Sequence, residues 1–132
     1  MKLINTNLHG WLDYSMGAIV MGSPWIFGFH DIDIATYIAL ASGGIVILYS
    51  LLTNYEMGVL KRNGIPMKLH LLLDVVSGIF LAASPWLFNF SDITYNPFLF
   101  LGIMEVSTAL LTDSIAYARL GASAVRDVDN IG

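Results

Sequence analysis

LHGWLDYSMGAIVMGSPWIFGFHDI, residues 8–32, returns as LHLLLDVVSGIFLAASPWLFNFSDI at residues 69–93. At this offset of 61 positions Leu8, His9, Leu12, Asp13 and Gly17 stand over Leu69, His70, Leu73, Asp74 and Gly78, and Ser23-Pro24-Trp25 stands over Ser84-Pro85-Trp86. Phe27, Phe29, Asp31 and Ile32 likewise match Phe88, Phe90, Asp92 and Ile93. Apolar bias alone aligns leucines and phenylalanines. It does not bring His, Asp, Pro and Trp into one register, so the stretch reads as an internal duplication. Further along, Leu51-Leu52-Thr53-Asn54 matches Leu110-Leu111-Thr112-Asp113 at an offset of 59, which makes the connection inside the first copy two residues longer.

Each copy holds two apolar stretches. Charge is absent from residues 14–30, 34–55 and 75–91, and residues 93–112 carry only Glu105. Each run approaches the roughly 20 residues that cross about 30 Å of hydrocarbon as a helix. The runs are continuously apolar rather than alternating, which argues against strands. Only 12 % of the 132 residues are charged and the mean hydropathy is +0.69. A soluble domain is about 25 % charged, so the fold expected is an all-α membrane protein of four transmembrane helices. Residues 1–60 form the first two-helix repeat, residues 61–120 the second, and residues 121–132 a cytoplasmic tail. Two helices per repeat send both copies into the bilayer in the same direction, so a pseudo-two-fold axis along the membrane normal is expected.

The basic residues fix an orientation. Lys2 precedes the first span, Lys61, Arg62 and Lys68 lie between the second and third, and Arg119 and Arg126 follow the fourth. The connections around residues 31–33 and 91–95 carry none, which puts both termini and the central connection in the cytoplasm. Asp13 inside the first apolar region, and the recurrence of its pattern, argue against a cleaved leader. There is no cysteine, which excludes disulfides and thiolate metal sites. A net charge of −4 without a dense basic patch argues against nucleic acid.

With its doubled Ser-Pro-Trp and the upstream His and Asp of each copy, the chain resembles the SPW repeat family of small prokaryotic integral membrane proteins. The resemblance covers nearly the whole length. It implies the two-repeat, four-helix topology in the cytoplasmic membrane of a prokaryote, and it implies no activity.

Proline inside a span removes a backbone donor and clashes with the preceding turn, so helices 1 and 3 are expected to be bent or broken at Ser23-Pro24-Trp25 and Ser84-Pro85-Trp86. The first segments should end near Gly22 and Ala83, with Trp25 and Trp86 in the outer aromatic belt. Such a motif is either a structural bend with an interfacial anchor or a broken helix lining a pocket.

His9 and Asp13 are four residues apart, as are His70 and Asp74, which sets each pair on one helix face. Duplication puts both pairs at one depth near the cytoplasmic surface, with His9 partly in water. In the simplest reading each Asp satisfies its own His or caps a helix start near the headgroups. If the helices meet at the axis, the four groups form a candidate cluster for a metal ion, for haem held by two histidines, or for proton transfer. Glu105, deep in an apolar run with Val46 or Gly44 as its counterpart, should face other helices and be neutral or bonded to Ser42, Ser77 or Ser107.

Small residues four apart, Ala18 and Gly22, Ala39 and Gly43, and Gly78 and Ala82, suggest close helix packing, within the chain first and between copies second. The chain carries no nucleophile elbow, phosphate loop, zinc-protease helix or nucleotide fingerprint, so an enzyme is not the first expectation. The leading reading is a scaffold or accessory subunit that packs with itself or with a larger membrane complex. Two further classes stay open: proton, ion or small-solute translocation using His9, Asp13, His70, Asp74 and Glu105, and a metal- or haem-binding redox protein.

Overall fold

A computed structural model describes residues 3–60 and 63–113 of the chain. They form four helices: α1 Thr6–Ile26, α2 Asp33–Leu51, α3 Met67–Leu87 and α4 Asn96–Leu111. α1 starts where Asn5, in extended conformation, accepts the Leu8 amide at 2.8 Å. α4 starts with Pro97 in its first turn, where a missing amide costs nothing. α4 ends at Leu111, and the backbone of Thr112 is extended. The expected tail at residues 121–132, and any helix beyond Asp113, lie outside the described residues.

The helices are not broken at Ser-Pro. α1 runs through Pro24 to Ile26 and α3 through Pro85 to Leu87, so the ends expected near Gly22 and Ala83 fall four residues early. Proline leaves one helix carbonyl, four residues back, without its amide donor. That carbonyl belongs to Val20 in α1 and to Leu81 in α3, and the hydroxyls of Ser23 and Ser84 donate to them at 2.7 Å. The serine thus replaces the hydrogen bond that its proline removes, and the helix persists for another half-turn. It then stops at left-handed residues, Gly28 at φ 73° and Asn89 at φ 57°. After them the amides of Phe29 and Phe90 bond back to the Pro24 and Pro85 carbonyls at 2.8 Å. Ser23, Pro24, Ser84 and Pro85 are buried, whereas Trp25 and Trp86 are exposed.

α1 packs chiefly on α2 and α3 on α4, with lesser α2–α3 and α1–α4 contacts. Backbones touch at both main crossings. A Cβ on Gly43 would stand 2.5 Å from the Gly17 carbonyl oxygen, and one on Gly78 would stand 2.8 Å from that of Gly102. Gly17 therefore makes the α1 crossing, while Ala18 is exposed. The segments flanking the helices also meet, in parallel bridges of Ile4 with Thr112 and of Ile65 with Thr53.

The interior divides into two zones. Toward the Ser-Pro-Trp end, Val20, Phe29, Leu81, Phe90, Phe98 and Leu101 form an apolar core, in which Phe98 lies 5.2 Å from Phe29 and 5.0 Å from Phe90 between ring centroids. Toward the other end the buried residues include Thr6, His9, Asp13, Ser50, Thr53, His70, Asp74 and Thr112. The outside is apolar, with Trp11, Ile45, Leu48, Leu72, Ile79, Phe100 and Leu110 all more than half exposed. This inverts the ordinary arrangement of a water-soluble domain. By length and composition α2 and α3 suffice to cross a membrane, and α4 is a shorter apolar helix.

Candidate functional site

One turn separates His9 from Asp13 on α1, and one turn separates His70 from Asp74 on α3, so each helix offers an imidazole and a carboxylate from a single face. All four side chains are buried, and the exposure of both histidines is 0 %. His9 is thus not partly in water. The chain after α2 folds over α1: the Tyr14 hydroxyl donates to the Met57 carbonyl at 2.9 Å, Thr6 to Glu56 at 2.8 Å, and fully buried Tyr55 lies beside Gly10.

The pairs do not close on themselves. His70 Nε2 is 2.9 Å from Asp13 Oδ2 and His9 Nε2 is 3.0 Å from Asp74 Oδ2, both across the helix interface. The contacts within each helix are slightly longer, 3.1 Å for His9 and Asp13 and 3.3 Å for His70 and Asp74. The two Nε2 atoms face each other at 3.2 Å. A haem between the histidines does not fit this geometry, because axial imidazoles must stand off on opposite faces of a macrocycle.

The far side of each ring is fixed by a threonine of the other half of the chain. Thr53 Oγ1 donates to the Tyr49 carbonyl at 2.7 Å and lies 2.7 Å from His70 Nδ1. Thr112 Oγ1 donates to the Thr108 carbonyl at 2.7 Å and lies 2.8 Å from His9 Nδ1. A hydroxyl has one proton, and here it is committed to the helix carbonyl, so Nδ1–H must be the donor to the threonine oxygen. In a neutral ring the lone pair is then on Nε2. With both rings neutral, two lone pairs and two carboxylates converge on one point, an all-acceptor centre that a metal ion or protons on Nε2 would satisfy.

Outer contacts steady the carboxylates. Tyr49 donates to Asp74 Oδ1 at 2.6 Å, leaving Oδ2 for the histidines. Asp13 Oδ2 accepts from Ser50 at 3.2 Å and from Tyr55 at 3.4 Å. Burial, and then the Asp13 carboxylate, hold the Tyr55 phenol above its ordinary range, so it stays a neutral donor.

Glu105 of α4 points inward and hydrogen-bonds to Ser77, one of the three serines within reach by sequence. Ser77 Oγ is 3.3 Å from the Tyr49 hydroxyl, so Glu105 joins the centre through Ser77, Tyr49 and Asp74. The repeat-matched positions of Ser77, Tyr49 and Glu105 are Met16, Thr108 and Val46, so this arm extends from one side alone. Thr53 and Thr112 were visible in the sequence as matched residues at the ends of the second helices. Tyr49 carried no such mark.

No curated protein and no solved structure matches the chain. The SPW repeat domain matches residues 7–112, a stretch that takes in the four helices but for the first residue of α1, and every residue of the centre. That match and the apolar helices point to a membrane protein, and with most of its length covered the chain belongs to the SPW repeat family.

Proposed function

We propose that the protein handles a cation within the cytoplasmic membrane of a prokaryote, which it spans four times with both termini and the 52–66 connection in the cytoplasm. The observation that carries this reading is the convergence of His9, Asp13, His70 and Asp74 inside a bundle whose outer surface is apolar. Ionisable groups are expensive in a bilayer and characteristically mark ion paths or relays. In the orientation given by the basic residues the centre lies near the cytoplasmic face, and the arm through Tyr49 and Ser77 leads from it to Glu105 in the apolar belt. The scaffold reading depended on each ionisable group being satisfied locally. The four groups instead bond to one another across two helices at a single point, and this puts cation handling ahead of it.

The same proposal takes residues 1–60 and 61–120 as parallel repeats about an axis along the membrane normal, with α1 and α3 bending at Pro24 and Pro85. Paired features support it: Ser23 with Val20 and Ser84 with Leu81, Gly28 and Asn89, and the threonine contacts of His9 and His70. Four helices enclose little space, so a complete path across the membrane calls for a second copy or a larger complex. The test is reconstitution of the full chain into vesicles loaded with reporters for protons and for divalent metal ions. Flux above that of protein-free vesicles, reduced by Asp74→Asn, is expected. Absence of flux for both ions from the intact protein overturns the reading.

A further inference from the structure

We infer that His9, Asp13, His70 and Asp74 form a tetrahedral site for a divalent transition-metal ion of the zinc class, in which Thr53 and Thr112 act as positioning residues that turn both Nε2 lone pairs onto the metal. The inference deepens the cation reading by naming the ion, and it rests on the same centre.

The first support is shape. Zinc bonds to imidazole nitrogen and carboxylate oxygen are about 2.0–2.2 Å long, which makes the edges of the ligand tetrahedron about 3.3–3.6 Å. The distances from the two Nε2 atoms to one another and to the carboxylates run from 2.9 to 3.3 Å. His9 meets Asp13 through Oδ1 and His70 meets it through Oδ2, and the four ligand atoms all lie within 4.8 Å of one another, so side-chain adjustments of about 1 Å bring them to the edges of a zinc tetrahedron.

The second support is the direction of the lone pairs, which does not depend on those distances. Each threonine hydroxyl spends its proton on a carbonyl one helical turn back and so can only accept from Nδ1. Metal-bound histidines characteristically have their second nitrogen held in this way, which fixes tautomer and ring orientation. Both rings obey the rule here, and each is held by the other half of the chain.

Charge decides between a metal and two protons. Two carboxylates with one divalent ion make a neutral cluster suited to a low-dielectric interior. Protonating both rings gives the same net charge, but it sets two cationic imidazoliums edge to edge at 3.2 Å. Ligand type narrows the ion further. Two imidazoles suit zinc, cobalt, iron or nickel, whereas magnesium and calcium favour six or more oxygen ligands.

The test uses the full chain purified in detergent, stripped with a chelator and titrated with Co²⁺ and Zn²⁺. Expected are a single bound ion per chain, the intense visible absorption of tetrahedral Co²⁺, its loss on addition of Zn²⁺, and no displacement by Mg²⁺. Asp74→Asn should abolish the signal. Thr53→Val and Thr112→Val should each weaken binding about 10- to 100-fold, with Thr53→Ser and Thr112→Ser restoring it. The serine variants separate orientation of the ring from mere packing, and circular dichroism establishes that each variant is folded. A folded intact protein that binds no Co²⁺, or binds it with octahedral spectra, overturns the site. Unchanged affinity in both valine variants overturns the positioning role. Metal binding without any flux in vesicles leaves this inference standing and removes the transport reading, whereas proton flux without metal does the reverse.

Discussion

Ser23 donates its hydroxyl to the Val20 carbonyl at 2.7 Å, the one carbonyl in α1 whose amide donor Pro24 has removed. Ser84 does the same for Leu81 beside Pro85. Ser23→Ala or Ser84→Ala leaves a buried acceptor unpaired and should cost about 1–3 kcal/mol of stability, whereas the threonine variants, which keep the hydroxyl, should cost less. Unfolding in mixed detergent measures the difference, and equal stabilities of the alanine variant and the intact protein would count against the repair role.

The glycines of α2 and α3 predict opposite signs. A methyl group on Gly78 would meet the Gly102 carbonyl oxygen and Val106 Cγ2, each at 2.8 Å, so Gly78→Ala should destabilise by about 1–3 kcal/mol through overpacking. Gly44 has nothing within 4 Å of its absent Cβ. Gly44→Ala should therefore be neutral, or stabilising by up to about 1 kcal/mol through helix propensity. Thermal unfolding of both variants checks the pair.

Glu105→Gln retains an acceptor for Ser77 and the shape of the side chain, so assembly and melting temperature should be unchanged. Cation flux should fall, because the amide removes the only carboxyl at the end of the Tyr49–Ser77 arm. Unaltered flux would confine Glu105 to a packing role.

The absence of cysteine makes topology directly measurable. Asp31→Cys and Asn63→Cys should be labelled by a membrane-impermeant thiol reagent from opposite sides of intact inside-out and right-side-out vesicles, Asn63→Cys from the cytoplasmic face. Labelling of both from one side would overturn the four-span orientation.

Helix number and the partnership of the two His/Asp pairs were legible because each leaves a periodic mark: long uncharged runs, and polar residues repeated at a fixed offset. Helix ends at Ser-Pro were not, because the helix-breaking effect of proline is offset by a serine hydroxyl whose direction a sequence does not reveal. Gly17 rather than Ala18 makes the α1 crossing for a similar reason, since i,i+4 spacing gives two small residues without stating which face they share. Whether each histidine meets one carboxylate or both was left open by the sequence, because His9 and His70 each have an in-helix Asp at a plausible spacing; in the structure each meets both.

The bridge between Ile4 and Thr112 has a topological consequence. The Leu3 amide donates to the Leu111 carbonyl and the Asp113 amide to the Ile4 carbonyl, both at 2.9 Å, while the Ile65 amide reaches Leu52 at 2.8 Å and the Asn54 amide reaches Ile65 at 2.9 Å. Beginning and end of the described helical region are thus joined by the same sort of parallel seam that joins its middle. The two seams close the same end of the bundle, one between α4 and α1 and one between α2 and α3, so each half of the chain is tied to the other beside the buried His and Asp side chains.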